Sequence, residues 1–284
     1  MISPLAYVDP KAEIGNNVTI HPFAYIDKNV VIGDNCEIFP YASVLAGTTM
    51  GKNNRVFHGA ILGAEPQDFR YKGEATRLSI GDNNMIREYV IINRATTPGG
   101  ETVIGNRDYL LKGTRIGHDC RVDDDCILGI DCDLAGECHI HSKAILAGRV
   151  IIKENCRVGS WSLIKSGCRT GKDIPPYILA AHNPITYKGI DAFIMRRSGF
   201  SEEAIENITL AYREQASKMP YCVSKMCVRL LPKSTISCVL SRNRKWVLSP
   251  PTEKKVCNLF IKYSMAALPT CRQGGCIYRE IKAI

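Results

Sequence analysis

His118 is one of six histidines in this sequence, and histidine is the side chain best suited to acid–base chemistry near neutral pH. An imidazole has an ordinary pKa of about 6.5, so near neutral pH it can accept or release a proton. Two further histidines, His139 and His141, flank Ile140, and the chain holds 13 cysteines, so metal or redox chemistry also has candidate ligands. What each of these side chains can do depends on the elements that position it.

Aliphatic residues recur at every sixth position along most of the first 164 residues. The in-phase residues are Ile2, Val8, Ile14, Ile20, Ile26, Ile32, Ile38, Val44, Met50, Val56, Leu62, Ile80, Ile86, Ile92, Ile104, Leu110, Ile116, Val122, Leu128, Leu134, Ile140, Leu146, Ile152, Val158 and Ile164. A period of six fits neither an α-helix nor a simple strand alternation. It fits a triangular prism in which three hexapeptides close one coil, and coils stack by parallel strand pairing.

The repeat therefore predicts a mainly β protein, and hexapeptide repeats of this kind are typical of the left-handed parallel β-helix. The hand of the helix comes from that resemblance and not from the spacing. A glycine often follows the in-phase aliphatic residue, as at Gly33 and Gly51. We expect glycine or asparagine to occupy the tight corners, because these residues tolerate unusual backbone angles.

Seven cysteines share one phase of the repeat, the small inward position two residues before the next aliphatic residue. They are Cys36, Cys120, Cys126, Cys132, Cys138, Cys156 and Cys168. Free cysteine packs as a small hydrophobic residue, so we expect reduced thiols in the core. Their spacing does not fit a CxxC zinc site, and the chain lacks the His-x4-His pair of hexapeptide zinc enzymes. The sequence therefore predicts no metal and no cofactor.

The repeat pauses twice, over residues 63–79 and 93–103, and returns in phase each time. Because each pause is a whole number of hexapeptides, the prism can continue while a loop bulges outward. Loops on a rigid scaffold frequently carry binding and catalytic residues. We therefore expect the functional residues near these two loops.

The repeat ends at Pro175-Pro176, so residues 1–176 are predicted to form the β-helix. Residues 177–213 are predicted to begin a smaller α-helical C-terminal region. Ser201 followed by two glutamates is typical of a helix start, with serine as the N-cap and acidic side chains in the first turn.

Several strings in and around the loops resemble one enzyme family. The run from Gly63 to Thr96 contains PQD, YKGE, IRE and NRAT, and further strings are IGHDC at 116–120, LAG at 134–136 and DIPPY at 173–177. Over about residues 1–213 the chain is similar to the acyl-carrier-protein-dependent UDP-N-acetylglucosamine O-acyltransferases of lipid A synthesis. The resemblance implies transfer of a (3R)-hydroxyacyl chain from acyl carrier protein to the 3-hydroxyl of UDP-N-acetylglucosamine.

The resemblance implies roles for eight residues. His118 corresponds to the general base, and Gly136 to the glycine whose backbone N–H stabilises the oxyanion. The positions that match substrate-binding residues are Gln67, Asp68, Arg70, Asp191 and Arg197, and Ser166 aligns where a small residue sets acyl-chain length. His118 lies two residues beyond an inward position, so we expect its side chain at the coil surface near a corner. Gly136 follows one coil later and should share that face.

Four residues depart from the family pattern. Arg70 replaces a lysine, Glu137 and Lys153 replace histidines, and Asp191 replaces an asparagine. The base and the oxyanion glycine are kept, which favours the transferase interpretation. Two alternatives remain open: transfer to a related amino-sugar nucleotide, and a non-catalytic paralogue that binds acyl carrier protein.

Charge is distributed unevenly along the chain. Residues 1–213 hold 24 basic and 25 acidic side chains, whereas residues 214–284 hold 13 basic and 3 acidic ones, with six cysteines and no aspartate. One interpretation of this tail is a binding segment for nucleic acid or anionic membrane. The other is a shifted reading frame near codon 213, which the abrupt change of composition favours. We expect no nucleic-acid partner for the functional protein.

Two classes of protein are excluded by the sequence. No apolar run approaches the roughly 18 residues that a membrane span needs, and the start lacks a basic-then-apolar secretion signal. Integral membrane proteins and secreted disulfide scaffolds are therefore excluded, and a cytoplasmic protein is predicted. The resemblance implies acyl carrier protein and UDP-N-acetylglucosamine as partners, and a homotrimer with active sites between subunits.

Overall fold

The computed structural model describes residues 1–217, with side chains to residue 213. These residues form three sheets and two helices. The tail predicted from residue 214 lies outside the described residues, apart from the last turn of the second helix.

The strands are numbered in chain order. The nine-stranded sheet contains β1 (Tyr7–Val8), β4 (Tyr25–Ile26), β7 (Ser43–Val44), β10 (Ile61–Ala64), β13 (Ile91–Asn93), β16 (Arg115–Ile116), β19 (Asp133–Leu134), β22 (Ile151–Ile152) and β25 (Arg169–Thr170). The eight-stranded sheet contains β2 (Glu13–Ile14), β5 (Val31–Ile32), β8 (Thr48–Met50), β11 (Arg77–Ile80), β14 (Glu101–Ile104), β17 (Arg121–Val122), β20 (His139–Ile140) and β23 (Arg157–Val158). The ten-stranded sheet contains β3 (Thr19–Ile20), β6 (Glu37–Ile38), β9 (Arg55–Val56), β12 (Met85–Ile86), β15 (Tyr109–Leu110), β18 (Ile127–Leu128), β21 (Ile145–Leu146), β24 (Leu163–Ile164), β26 (Ile178–Ala181) and β27 (Thr186–Ile190). The helices are α1 (Ala192–Arg197) and α2 (Glu202–Ser217).

From β1 to β22, each strand pairs in parallel with the strand three positions later in the chain, as the six-residue repeat predicts. In β1 and β4, for example, Tyr7 pairs with Tyr25, one coil of 18 residues further on. Where a loop lies between two paired strands, the number of residues between paired positions is larger than 18: Ile61 pairs with Ile91, and Ile91 pairs with Arg115. The loops are therefore insertions of whole hexapeptides that leave the prism in register.

The in-phase aliphatic residues fill the interior. All of them from Ile20 to Ile164 are buried, whereas Ile2 is 49% exposed and Val8 and Ile14 are half-buried. The first coil has no coil beneath it, which explains its exposure. The seven in-phase cysteines are free and buried, as predicted. Burial raises the pKa of the Cys132 thiol to about 11 and that of Cys156 to about 12, so both are protonated and unreactive at neutral pH.

The glycines that follow the aliphatic residues have a different purpose from the one predicted. Gly33 does not have a positive φ; a Cβ there would lie only 2.6 Å from the carbonyl carbon of Gly51 in the next coil. The left-handed corners fall two residues later, at Asn35 (φ 58°) and Asn53 (φ 56°). Close stacking of coils requires the glycine, and the corner geometry selects the asparagine.

An interior polar ladder runs beside the aliphatic core. Asn54 donates from Nδ2 to the carbonyl of Gly81 (2.8 Å), and Asn84 donates in the same way to Gly105 (2.9 Å). Asp108 occupies the next step of the ladder; it is fully buried, and its Oδ2 has no hydrogen-bond partner. Burial raises the pKa of Asp108 to about 8, so this carboxyl is largely protonated at neutral pH.

Both loops are shorter in the structure than the pauses in the repeat. Strand β10 continues to Ala64 and β11 begins at Arg77, so the first loop spans residues 65–76. Strand β13 ends at Asn93 and β14 begins at Glu101, so the second spans residues 94–100.

The region after the prolines is not helical at once, contrary to the prediction. Strand β26 continues the ten-stranded sheet, with Ile164 opposite Ala180, and β27 then returns antiparallel to it. The offset from Ile164 to Ala180 is two residues less than a coil, so the six-residue phase cannot detect this strand. The predicted helix start is confirmed, because Ser201 Oγ accepts a hydrogen bond from Ala204 N (3.1 Å) at the beginning of α2.

Candidate active site

His118 lies in the turn between β16 and β17, at the edge where the nine-stranded and eight-stranded sheets meet. The sequence predicted an exposed position near a corner, but the side chain is only 7% exposed. It does leave the prism interior, as expected. The first loop folds over it and places Asp68 Oδ2 3.3 Å from His118 Nε2. An inserted loop covers the ring, and a local repeat pattern cannot predict the path that this loop takes.

The other ring nitrogen is held by Asp119. His118 Nδ1 lies 2.9 Å from Asp119 Oδ2, and the same oxygen accepts hydrogen bonds from Thr96 N (3.0 Å) and Thr96 Oγ1 (2.6 Å). Thr102 Oγ1 accepts in turn from Asp119 N at 2.9 Å. In the tautomer whose proton is on Nδ1, that N–H donates to Asp119, and Nε2 has its lone pair toward the loop, where Asp68 Oδ2 lies 3.3 Å away. A neutral imidazole oriented in this way is suited to act as a base.

The sequence did not identify Asp119, Thr96 and Thr102 as functional residues. Asp119 directly follows the candidate base, which is a signal that could have suggested a partner for the imidazole. Thr96 and Thr102 flank the second loop, and only the folded structure brings them beside residue 119.

Arg70 fixes the carboxylate of Asp68 beside His118. Its Nη2 and Nε donate to Asp68 Oδ2 at 2.6 and 2.9 Å, and its backbone N–H donates to Oδ1 at 2.7 Å. Hydrogen bonds from the Arg70 side chain and then its backbone hold the pKa of Asp68 at about 2. Both Nη atoms of Arg70 also lie 3.4 Å from Glu137 Oε1, so a charged bridge connects the loop to the coil that follows His118.

Gly136 faces His118 one coil later, as the spacing predicted. A Cβ added at Gly136 would overlap the His118 ring, so only glycine leaves room for the imidazole. Glu137 N donates to His118 O at 2.9 Å, which fixes the distance between these two turns.

The structure places the remaining predicted site residues in two groups. Gln67 lies in the same loop as Asp68, and its Oε1 accepts from Arg115 Nη1 of β16 at 3.3 Å. Asp191, Arg197 and Ser166 instead adjoin the ten-stranded sheet, away from the edge that carries His118.

Each member of the second group has a local environment of its own. Asp191 Oδ1 accepts from Ile194 N at 3.1 Å and caps α1. The Arg197 guanidinium lies 5.8 Å from the centre of the Phe193 ring, and Ser166 is exposed in the turn after β24. A single chain therefore does not assemble all eight predicted residues into one site.

A second cluster of histidine and aspartate lies at the other end of β17. Asp123 Oδ2 is 3.0 Å from His139 Nε2 and 3.3 Å from His141 Nδ1, and Arg121 Nε donates to Asp123 Oδ1 at 2.8 Å. Burial by itself would raise the pKa of Asp123, but the hydrogen bonds from the two histidines hold it well below its usual value. Burial lowers the pKa of His141, so this ring is neutral near pH 7.

Among the described residues, neither helix is long and apolar enough to cross a membrane.

Comparison with known proteins identifies a consistent set of relatives. A family model described as UDP N-acetylglucosamine O-acyltransferase, domain 2, matches residues 173–219. The acyl-[acyl-carrier-protein]–UDP-N-acetylglucosamine O-acyltransferase of Pseudomonas paraeruginosa is 43% identical over 214 residues, and that of Alkalilimnicola ehrlichii is 45% identical over 213. Each match covers 75% of this chain and 83% of the relative.

Solved structures give the same result. The UDP-N-acetylglucosamine acyltransferase from Bacteroides fragilis superposes with a TM-score of 0.78 at 44% identity, covering 92% of this chain and 97% of that one. The enzyme from Francisella novicida has a TM-score of 0.72 at 35% identity, covering 75% of this chain and 79% of that one. On this similarity, which agrees with the repeat, the loops and the histidine site, the chain belongs to the acyl-[acyl-carrier-protein]–UDP-N-acetylglucosamine O-acyltransferase family and has its left-handed parallel β-helix fold.

Proposed function

We propose that this protein transfers a (3R)-hydroxyacyl chain from acyl carrier protein to the 3-hydroxyl of UDP-N-acetylglucosamine, the first step of lipid A biosynthesis. The names of its relatives give an O-acyl transfer from acyl carrier protein to UDP-N-acetylglucosamine. The observation that supports it most directly is His118, whose Nδ1 is bound to Asp119 while Nε2 faces the loop beside Gly136. This is the arrangement that an acyl transfer with a general base needs.

The proposed reaction uses His118 first as a base and then as an acid. Nε2 takes the proton of the sugar 3-hydroxyl as its oxygen attacks the thioester carbonyl carbon. The tetrahedral intermediate places negative charge on the former carbonyl oxygen, where the backbone N–H of Gly136 would donate a hydrogen bond. Collapse breaks the carbon–sulfur bond, and the imidazolium returns its proton to the departing thiolate of acyl carrier protein. Asp119 stabilises the positive ring between these two transfers.

The loop residues would bind the sugar nucleotide. Asp68 is ionised and directly beside His118 Nε2, so it can accept a hydrogen bond from a second sugar hydroxyl or from the acetamido N–H. Gln67 and Arg70 offer an amide and a guanidinium to the same ligand. Arg70 supplies the positive charge that suits phosphate, and the ligand would compete with Glu137 for its Nη atoms.

A homotrimer would complete the site. Asp191, Arg197 and Ser166 adjoin the ten-stranded sheet, whereas His118 lies at the opposite edge of the same prism. Packing three prisms side by side would place the ten-stranded side of one chain against the His118 edge of its neighbour. In that arrangement Arg197 would contact phosphate or phosphopantetheine, and Ser166 would limit the acyl chain. The cytoplasmic location expected from the sequence stays a prediction.

The test is an acyl-transfer assay with purified protein, UDP-N-acetylglucosamine and acyl carrier proteins loaded with 3-hydroxyacyl chains of different lengths. We expect an ester product, with one preferred length. A parallel assay with an amino-sugar nucleotide, in which the 3-hydroxyl is an amine, checks the alternative acceptor. Amide formation with no ester would contradict the proposed acceptor, and the absence of both products would favour the non-catalytic paralogue.

A further inference from the structure

The cluster of Asp123, His139 and His141 has no part in the proposed transfer reaction. Asp123 follows β17, and the two histidines flank Ile140 in β20, the next strand of the same sheet. The register that pairs Arg121 with His139 and Val122 with Ile140 places Asp123 one coil below His141. Stacking of adjacent coils thus gathers three potential metal ligands that are separated along the chain.

The distances within the cluster match those of a coordination sphere. The three ligand atoms all lie within 4.8 Å of one another, and Asp123 Oδ2 is 3.0 and 3.3 Å from the two ring nitrogens. Ligand atoms about 2.0–2.1 Å from a tetrahedral zinc ion are separated by about 3.3 Å. An ion could therefore be bound with small movements of the three side chains.

We propose that Asp123, His139 and His141 form a binding site for a divalent transition-metal ion of the zinc or cobalt type. Two imidazoles and one carboxylate bind ions of this type in preference to Mg²⁺ or Ca²⁺. Arg121 binds Oδ1 of Asp123, which leaves Oδ2 directed at the histidines. This is the orienting contact expected around a metal-ligating carboxylate.

The surroundings determine how the site would be filled. His141 is buried, whereas His139 and Asp123 are 22% and 19% exposed, so solvent reaches one side of the cluster. Water would supply the remaining ligands from that side. Arg157 lies one coil beyond His139 and acts electrostatically on His141. Its positive charge weakens cation binding relative to the same ligands without it.

A metal ion here would join two consecutive coils. Asp123 belongs to the coil of β17 and both histidines to the coil of β20, so binding stabilises their stacking by mass action. The site is separate from His118, so this role does not depend on the transfer activity.

The test uses untagged full-length protein, freed of metal by a chelator and titrated with Co²⁺ alone. We expect one equivalent of Co²⁺ per chain, a visible ligand-field band, a higher Tm, and displacement of the band by Zn²⁺. His139→Gln, His141→Gln and Asp123→Asn should each weaken Co²⁺ binding by roughly 10–100-fold or more, since loss of even an outer partner has that effect. His58→Gln, which removes an exposed histidine elsewhere, is the matched control and should bind as the parent does.

Two results would overturn the proposal. One is the absence of saturable Co²⁺ binding in the parent protein. The other is binding that stays unchanged in all three variants, in which case the cluster is an ion-pair network and the Co²⁺ is bound elsewhere. His139→Gln keeps the test valid even if the other two variants fail to fold, because His139 is partly exposed and its loss leaves the core intact.

Discussion

Two clusters of histidine and aspartate flank the two-residue strand β17, and they differ in what remains available on the imidazole. At one end, Asp119 binds Nδ1 of His118, and Nε2 faces a covering loop with Gly136 leaving space beside it. At the other end, one oxygen of Asp123 lies within hydrogen-bond distance of both His139 and His141. The same residue types thus produce a candidate base in one place and a candidate metal site in the other.

The difference comes from neighbours that are distant in sequence. Asp68 is brought to His118 by an inserted loop, whereas the pairing of β17 with β20 brings Asp123 to His139 and His141. A histidine serves as a base when one ring nitrogen is fixed and the other is open to substrate. Two histidines that converge on one carboxylate oxygen instead present their nitrogens to a common point.

The largest expected effect is the loss of the base. His118→Ala should lower kcat for acyl transfer by about 10²–10⁴-fold, because the variant lacks the imidazole that takes the hydroxyl proton in the proposed reaction. The measurement is the rate of ester formation at saturating substrates. His58→Ala, an exposed histidine next to β9, should retain the parent rate. Substantial transfer by His118→Ala would contradict the mechanism.

The second prediction concerns the carboxylate that fixes the ring. Asp119→Asn should lower kcat by about 10²-fold, because an amide N–H facing Nδ1 favours the tautomer whose Nε2 carries the proton. The pH profile of kcat should shift as well, since the imidazolium loses its negative partner. Asp131→Asn is the control, because Asp131 occupies the equivalent left-handed position (φ 54° against 56° at Asp119) of a turn two hexapeptides later. A variant with the parent pH profile would show that Asp119 is only structural.

The third prediction tests the space beside the base. Gly136→Ala should lower transfer by roughly 10–100-fold, because the added methyl group overlaps the His118 ring and displaces it. Gly148→Ala is a fair control, since Gly148 has the same hexapeptide phase and a Cβ there would lie 3.3 Å from the Ile130 carbonyl oxygen, a close contact that a small shift relieves. Equal activity of the two variants would remove Gly136 from the site.

The fourth prediction tests the interior behind the second cluster. Asp108→Asn should stabilise the fold by about 1–3 kcal/mol near pH 8, because an amide there can donate to the carbonyl of Asp123 as Asn54 and Asn84 do in their coils. The folded pKa of Asp108 is raised from 3.8 to about 8. The free energy of unfolding of the parent protein therefore falls as pH rises from about 4 to about 8, because in this range the unfolded chain releases the proton and the folded chain keeps it.

The difference between Asp108→Asn and the parent should consequently grow across that pH window. Denaturant unfolding at pH 5 and pH 8, at one protein concentration, measures it. A constant difference at both pH values would show that Asp108 does not titrate in this range.

The smallest expected effect concerns the ion pair between Arg70 of the first loop and Glu137 of the coil that follows His118. Glu137→Gln should raise KM for the sugar nucleotide by about two- to fivefold and leave kcat unchanged, since the Glu137 side chain contacts Arg70 and its backbone hydrogen bond to His118 O is kept in the variant. The effect is small because both side chains are more than a third exposed and the ion pair is screened by solvent. Glu13→Gln, exposed in the first coil, is the control. A fall in kcat would place Glu137 closer to the chemistry.

Most of the fold could be predicted because its contacts are periodic. An inward residue such as Ile116 meets Leu134 one coil later, so position in the hexapeptide determines burial. The cysteines and the adjacency of His118 to Gly136 follow from the same period. The prediction was wrong where the period ended: β26 is displaced by two residues, and β27 reverses direction. The prediction was also wrong about why the glycines occur. They are required by close contacts between stacked coils, and a local sequence pattern does not show such contacts.

The sequence by itself determined the prism and its inward residues, because a six-residue period is a local property that every coil repeats, and the motifs shared with the family pointed to His118 as the candidate base. Only the tertiary structure decided the environment of that base. The burial of His118 by the first loop, the threonines that hold Asp119, and the convergence of Asp123 with His139 and His141 depend on the paths of inserted loops and on stacking between coils. Those contacts join residues that no local pattern relates, so they exist only once the chain has folded.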